Sequence, residues 1–389
     1  MYRTKKVQFL LTPLNNRESV MKKTLFALSV AALAAGSAQA YNFHIDQTGT
    51  DVDFYGSLRV KWESTSNKTN YVNGDVTKEH INHAVDNNGS RFGFKLKQSL
   101  GGDFYALGRA EWRMRGEAPS QHDFDHVYAG FGHKQFGELT YGNMVTITDE
   151  VKQSDLANTY SLTDGLLETS ARRVTQYVYN GDYGSNKVKF GAYYGGSSKR
   201  NIKNVDLKNN RKNTWGTGLI FNHEIDSIQN VTVAAGFTRQ ISENANKTAY
   251  YSNAYALGLA YNFVHTTYGL DLAHKDTKNK GGAGNKVKNN EVTAVISQGL
   301  NEDWNVYAMY SYKTEKTLPV GSAYSKSTDR QFLVGTEYYV FKQGSVKVKP
   351  FIEWQATRTK YENTFDKDSG KQLDRSRDFK TVIGLRAYW

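Results

Sequence analysis

The sequence predicts an all-β chain: a 16-stranded antiparallel β-barrel that crosses a membrane. Three observations predict it. Polar and apolar residues alternate with period two through about sixteen segments, the signature of strands with two different faces. Many of these segments reach ten residues, which is longer than a common strand and close to the roughly 9–11 that a tilted spanning strand needs. The connections between them are short at one end and long at the other, an asymmetry that a soluble sandwich has no reason to keep.

Composition sets the outer limits. The chain has 389 residues, with no Cys, four Pro, 34 Gly and 26 Tyr. Absence of Cys excludes disulfide scaffolds, Cys-ligated zinc or iron–sulfur sites, and thiol catalysis. Aromatic residues make up 13%, too many for a disordered chain. A mean hydropathy of −0.64 with 23% charged residues reads as soluble by averaging alone. No run approaches the roughly 18 apolar residues of a spanning helix. Strands that alternate polar and apolar residues average out, so the same figure leaves a barrel open.

The first element is a leader. Met21 is followed by Lys22 and Lys23, an apolar stretch over 24–35, and Ala38-Gln39-Ala40. That order reads as a secretory signal over 21–40, with Tyr41 as the first residue after cleavage. Residues 1–20 read as a leader extension or a misassigned start. Removing 1–40 leaves a barrel domain over 41–389. It also takes the net charge from +12 to +7, because Arg3, Lys5, Lys6, Arg17, Lys22 and Lys23 outnumber Glu18 by five. Export argues against the nucleic-acid binding that a basic balance usually implies.

The strands follow in order. The expected spans are 52–62, 90–100, 103–115, 123–133, 137–143, 172–180, 186–196 and 212–223, then 230–241, 249–263, 265–275, 289–299, 303–313, 328–341, 345–358 and 377–389. The first sets Ser57, Arg59 and Lys61 against Leu58, Val60 and Trp62. The second sets Arg91, Lys95 and Lys97 against Phe92, Phe94 and Leu96. The third sets Arg109, Glu111, Arg113 and Arg115 against Ala110, Trp112 and Met114. The fourth leaves open which face is inward. The last sets Lys380, Arg386 and Tyr388 against Phe379, Ile383, Leu385 and Trp389. Backbone groups in lipid must all be paired, so the sheet must close, with its apolar face outward and its polar face on water. Pro350 sits awkwardly in the fifteenth strand, where it deletes a ladder donor and points to a bulge or a slipped boundary. Short connections fall at 100–103 and 341–345, long ones at 63–89, 144–171, 197–211, 276–288 and 359–376.

At these residues a resemblance enters. Val52-Asp53-Phe54-Tyr55-Gly56-Ser57-Leu58-Arg59-Val60 resembles the first strand of general Gram-negative outer-membrane porins. Glu138-Leu139-Thr140-Tyr141-Gly142-Asn143 resembles the strand that leads into their long third loop. Gly384-Leu385-Arg386-Ala387-Tyr388-Trp389 resembles their terminal strand, with Trp389 where the family ends in Phe. The resemblance spans 41–389 and is strongest to Pasteurellaceae-type (Haemophilus-like) major porins. It implies a passive water-filled channel for small polar solutes and ions, short periplasmic turns, long external loops and an inward-folded third loop. It also implies a homotrimer, outer-membrane lipid and lipopolysaccharide around it, and assembly-machinery recognition of the C-terminal strand.

The resemblance also implies an electrostatic eyelet. The third loop carries Asp149, Glu150, Asp155, Asp164 and Glu168 against one cation, Lys152. In porins such acids face a basic cluster on the wall. Arg91 and Arg172 match wall arginines of the family. Ser57 stands where the family has a lumen lysine and Asp125 where it has an arginine, so Arg59, Lys61, Arg109, Arg113 and Arg115 are the candidates to rebuild the cluster. The loop lacks the Pro-Glu-Phe-Gly-Gly stretch of enterobacterial porins, which leaves open which acids line the narrowest point. An excess of lumen cations predicts a mild anion preference.

Other motifs fail on geometry. His122 and His126 at i, i+4 suit zinc on a helix, but on a strand they stand about 13 Å apart. Gly281-Gly282-Ala283-Gly284-Asn285-Lys286 lacks the full phosphate-loop string and a following helix. No catalytic signature is visible, and no cofactor or metal is expected. The competing readings are a secreted soluble β-rich binding protein or adhesin and a solute-specific outer-membrane channel. The first would leave the outward apolar band an aggregation liability.

Overall fold

A computed structural model describes residues 41–389 except 47, 115–121, 164, 199–208, 245–248, 280–285 and 320–322. The expected leader, Arg115 and Asp164 lie outside the described residues. Sixteen antiparallel strands form one closed barrel. They are β1 (Thr50–Tyr71), β2 (Arg91–Gly101, with the outlying pieces Val76–Asn82 and Asp86–Asn87), β3 (Phe104–Met114), β4 (His122–His133), β5 (Gly137–Val145), β6 (Ser170–Tyr183), β7 (Asn186–Gly195) and β8 (Asn209–Asp226), followed by β9 (Gln229–Asn244), β10 (Ala249–Phe263), β11 (Thr266–Asn279), β12 (Lys286–Gly299), β13 (Trp304–Leu318), β14 (Ser325–Tyr338), β15 (Val346–Glu362) and β16 (Leu373–Tyr388). Each strand pairs with the next, and β1 pairs with β16 from Ser57↔Tyr388 to Tyr71↔Leu373. That last ladder removes the open edge that a membrane does not tolerate.

The chain start completes the seam. Tyr41–Ile45 pairs with β1 from Tyr41↔Phe54 to Ile45↔Thr50, in line with β16 along the same edge. Trp389 exchanges backbone hydrogen bonds with Gly56 at 3.0 and 3.2 Å. Its indole lies over Gly56, where a Cβ would come within 2.2 Å of the ring.

The two faces separate as the alternation predicts. Leu96, Phe131, Leu219, Ile296, Ile352 and Ile383 point outward and are exposed. Outward aromatics pack on one another across strands, as in Phe92–Trp112 (5.4 Å) and Trp215–Phe237 (4.9 Å between ring centroids). Such cross-strand pairs stabilise the ladder, and a lipid-facing band gives them a solvent. The short turn after β2 uses Gly101, Gly102 and Asp103, all at positive φ.

Pro350 causes no bulge. It pairs with Leu385 on the β16 side. On the β14 side the ladder resumes only at Glu337↔Phe351, and the short piece Phe341–Gln343 pairs again with Val346–Val348. The proline occupies the gap between those two pairings, so its missing N–H costs no ladder bond.

Several strands outrun their expected ends. β1 continues to Tyr71 and returns as a hairpin within the connection expected over 63–89, and β15 reaches Glu362. Beyond the membrane both faces meet water, so the polar extensions lose the period-two signal. Out there Tyr71 Oη donates to Asp366 Oδ2 at 2.8 Å and Lys371 Nζ meets Asp75 Oδ2 at 2.5 Å. The Lys371 ammonium, hydrogen-bonded to Asp75, holds that carboxyl below the usual carboxylate range.

Candidate functional site

Residues 146–169 leave β5 and turn into the barrel, opening on a 3-10 turn, Ile147–Val151. Ile147, Val151, Leu162 and Leu167 are buried against the inner wall. The wall makes room by omitting side chains. Gly191, Gly218, Gly236, Gly258 and Gly269 supply one glycine from each of β7 to β11. A Cβ on Gly258 would lie 2.0 Å from the Val151 carbonyl oxygen, and one on Gly269 would lie 2.5 Å from that of Gln153. Neither distance is physical, so any larger residue at these two positions must displace the loop backbone.

Two wall carboxylates tie the loop down. Asp271 of β11 accepts from Gln153 N (2.8 Å), Ser154 N (2.9 Å) and Ser154 Oγ (2.5 Å). Glu353 of β15 accepts from the backbone N–H of Asn158, from Thr159 N (3.0 Å) and Tyr160 N (3.1 Å), and from Tyr307 Oη (2.6 Å). Glu353 has no solvent exposure, and these donors satisfy its buried oxygens. Beside it Asn158 Nδ2 donates to Glu337, which Lys349 Nζ meets at 2.6 Å. At the near end Gln176 Oε1 accepts from Ile147 N at 2.7 Å. Tyr160 and Leu162 pack into an apolar cluster with Val295, Met309, Leu333, Phe351 and Val382. The loop therefore crosses the lumen from β6 to β16, its tip also meeting the β1 side where Thr159 Oγ1 accepts from Asn88 Nδ2 at 3.0 Å, and leaves the rest of the β1–β4 wall to the gap.

That wall carries the cations. Arg109 Nη2 meets Glu111 Oε2 at 2.6 Å and its Nε donates to Tyr55 Oη at 2.6 Å. Arg91 Nη1 reaches Glu111 Oε1 at 3.5 Å, and His126 Nδ1 lies 3.1 Å from the same oxygen. Arg113 Nη1 lies 3.4 Å from Asp125 Oδ2. Arg59 donates from Nε to Ser57 Oγ at 3.0 Å and feels the like charges of Arg91, Arg386 and Arg113. Three guanidinium groups, those of Arg91, Arg109 and Arg113, thus share the carboxylates of Glu111 and Asp125, with those of Arg59 and Arg386 beside them. Two cross-strand pairs, Arg91↔Arg113 and Lys95↔Arg109, set cation directly against cation. Such pairs are destabilising, which marks the wall as built for charge rather than stability.

The structure places the candidates as follows. It brings together Arg59, Arg91, Arg109 and Arg113. Lys61 faces the same way but pairs with Glu63. Arg172 does not join them; it lines a cavity at the long-loop rim with Arg173, Arg211 and Lys212. The loop acids divide. Glu150 pairs with Lys189 of β7 at 2.5 Å and Glu168 with Lys275 of β11 at 3.2 Å, both on the wall the loop lies against. Asp149 and Asp155 flank Lys152 at 3.4 and 3.6 Å.

The sequence reading missed Asp271, Glu353, Arg386 and His126 as parts of this assembly. Asp271 and Glu353 each interrupt an apolar run, in Leu270-Asp271-Leu272 and Ile352-Glu353-Trp354, which marks them as inward but not as tethers. His126 was hidden by a bulge. Glu111 pairs with His126 and Trp112 with Phe124, so Asp125 is the extra residue and points inward with His126. The ligand atoms of Glu111, Asp125 and His126 lie within 4.8 Å of one another, close enough for one metal ion. Arg109 and Arg91 already take both Glu111 oxygens, and a metal there would sit among guanidinium groups.

Comparison with known proteins places the chain. Residues 27–349 match a family model described as Gram-negative porin. The major outer membrane protein of Pasteurella multocida (strain Pm70) is 26% identical over 360 residues, covering 86% of this chain and 92% of that one. Among solved structures, in-vitro folded OmpT of Vibrio cholerae is 17% identical, with a TM-score of 0.60 over 90% of this chain and 100% of that one. An anion-selective porin from Comamonas acidovorans is 15% identical, with a TM-score of 0.59 over 87% of this chain and 100% of that one.

Proposed function

We infer the working of the pore from one premise: the chain belongs to the Gram-negative porin family, and it is an outer-membrane diffusion porin. The family points to a channel rather than an enzyme. Small hydrophilic solutes and ions cross passively through the water-filled lumen. Residues 146–169 are the constriction, and the gap lies between that loop and the uncovered wall of β1–β4.

The observation that carries this reading is the loop fastened at Gln176, Asp271 and Glu353, opposite a wall where Arg91, Arg109 and Arg113 share two carboxylates with Arg59 and Arg386 beside them. Charge on one side of a narrow gap with low-dielectric walls is screened less than on an open surface. The field orders water, so a polar solute passes and an apolar one must displace oriented water. Because Glu150 and Glu168 are matched by wall lysines, the loop contributes less negative charge to the gap than its five acids imply. The positive wall dominates, and the pore prefers anions mildly.

The functional unit is an oligomer, proposed as a homotrimer with one pore per subunit. Residues 1–40 act as a cleaved leader, the outer surface meets lipid and lipopolysaccharide, and the C-terminal strand is the signal for assembly. Planar-bilayer recording of the refolded chain tests the reading. Stepwise openings in threes and a reversal potential of the anion-preferring sign across a salt gradient are expected. Absence of conductance overturns the pore assignment, and clear cation selectivity overturns the charge argument.

A further inference from the structure

The rim cavity that holds Arg172 has a composition unlike the rest of the wall. It encloses about 540 Å³ at the long-loop ends of β5 to β9 and is lined by Asn143, Arg172, Arg173, Arg211, Lys212 and Glu243, with two serines. Four of these side chains are cations and one is an acid. Lys212 Nζ takes that acid, Glu243, at 2.8 Å. Arg211 spends its guanidinium on backbone carbonyls, with Nε to Gly196 O at 3.1 Å and Nη2 to Gly196 O at 2.9 Å, and a further contact to the Arg172 carbonyl. Arg172 and Arg173 have no acidic partner among the described residues.

The backbone that presents them is strained. A register shift between Gly142 and Met144 bulges β5 against β6. Arg173 sits at φ +55°, the left-handed region, and its N–H donates to Asn143 Oδ1 at 3.2 Å. A non-glycine residue in that region is strained, and such strain collects at binding sites. Two guanidinium groups that line one concave site without an acidic partner among the described residues suit the tetrahedral oxygens of a phosphate group. Arginine meets such oxygens with two parallel hydrogen bonds.

The cavity is also in the right place for an outer ligand. Thr175, Tyr194 and Trp215 are register partners across β6, β7 and β8, and Tyr194 and Trp215 are exposed on the outward band. Arg173, itself exposed, lies two residues nearer the rim than Thr175. None of the lumen cluster of Arg59, Arg91, Arg109 and Arg113 lines the cavity.

We propose that this cavity binds a phosphate group, with Arg172 and Arg173 as its principal ligands and Asn143 and Arg211 holding their geometry. The group belongs either to a soluble phosphate or to the phosphorylated headgroup of an outer-leaflet glycolipid. The proposal extends the porin reading but does not depend on conduction. Calorimetric titration of the refolded full chain in neutral detergent tests it, with inorganic phosphate as one probe and bisphosphorylated lipid A in mixed micelles as the other. At least one probe binds the wild type, and R172Q/R173N loses at least tenfold in affinity; asparagine tolerates the left-handed position. Binding of lipid A alone assigns the site to a lipid headgroup, and binding of both assigns it to phosphate in general. K371Q, which removes a loop cation elsewhere, keeps full affinity. Should the double variant fail to fold, R172Q alone leaves the left-handed residue in place and still loses at least threefold. Equal affinity in the arginine variants overturns the site. A wild-type chain that conducts but binds neither probe also overturns it, and leaves the porin reading standing.

Discussion

Replacing Glu353 with alanine should unfasten the loop tip without opening the barrel. The change removes the acceptor for the Asn158, Thr159 and Tyr160 N–H groups and for the Tyr307 hydroxyl. A buried donor left unpaired costs about 1–3 kcal/mol. Three such donors set the loss at about 3 kcal/mol as a lower figure, even where water enters to relieve the rest. At about 1.4 kcal/mol per tenfold, the seated state of residues 158–160 loses about a hundredfold in population. Hydrogen exchange on the refolded protein should show those amides exchanging about a hundred times faster. Amides in β7 to β11 keep their protection, because no strand ladder is touched. Single-channel conductance should rise, since the tip no longer crosses the lumen. Glu353→Gln should fall between, because its carbonyl oxygen still accepts while its amide faces the loop donors. Unchanged protection at 158–160 in E353A, with a native barrel, would refute the idea that this carboxylate holds the loop.

Three further outcomes follow from other contacts. Gly258→Ala places a Cβ 2.0 Å from the Val151 carbonyl and must push the loop toward the uncovered wall, so conductance falls while the barrel's thermal transition stays near wild type. Arg109→Ala strips a 2.6 Å partner from the fully buried Glu111, which keeps Tyr55, Arg91 and His126, and should lower unfolding stability by about 1–3 kcal/mol in a urea titration; R109A/E111Q should recover part of it, and no recovery would mean the pair is not coupled. The Asp75–Lys371 contact should respond to acid. Its carboxyl has a depressed pKa when folded, so the contact's contribution is complete above the unfolded value near 4 and fades as pH falls through the lower folded value. A spin-label distance between positions 73 and 369 should therefore stay constant from pH 7 to 5 and lengthen only below about 4; lengthening already at pH 6 would contradict the assignment.

The barrel was legible because lipid imposes a rule on every strand. Leu58, Val60 and Trp62 face lipid while Ser57, Arg59 and Lys61 face water, and a period of two records that difference. Where the rule stops, so does the signal. β1 runs past Trp62 through Ser64, Thr65, Ser66 and Asn67, wet on both sides, and nothing in that composition separates strand from loop. Parity was also lost at Asp125, because one inserted residue turns a face around and leaves no trace in residue type. The basic wall was half legible. Arg59, Arg91, Arg109 and Arg113 could be placed on one face, but Arg172 could not be separated from them. A bulge and a rim position decide its surroundings, and local alignment reports neither. The tethers were least legible, since Asp271 and Glu353 meet loop residues more than a hundred positions away.

Those separations carry a temporal meaning. Gln176 fastens a residue 29 positions back, Thr238 one 70 back, Asp271 one 118 back and Glu353 one 195 back. Contacts distant in sequence form late, because chain entropy must be lost before they yield anything. The tip anchor therefore exists only once β15 is part of the wall, whatever the order in which the strands join. A chain that lacks that strand keeps the root anchor at Gln176 and loses the one at Glu353. The seating of the loop tip thus reports on the far side of the barrel, so the two are completed together.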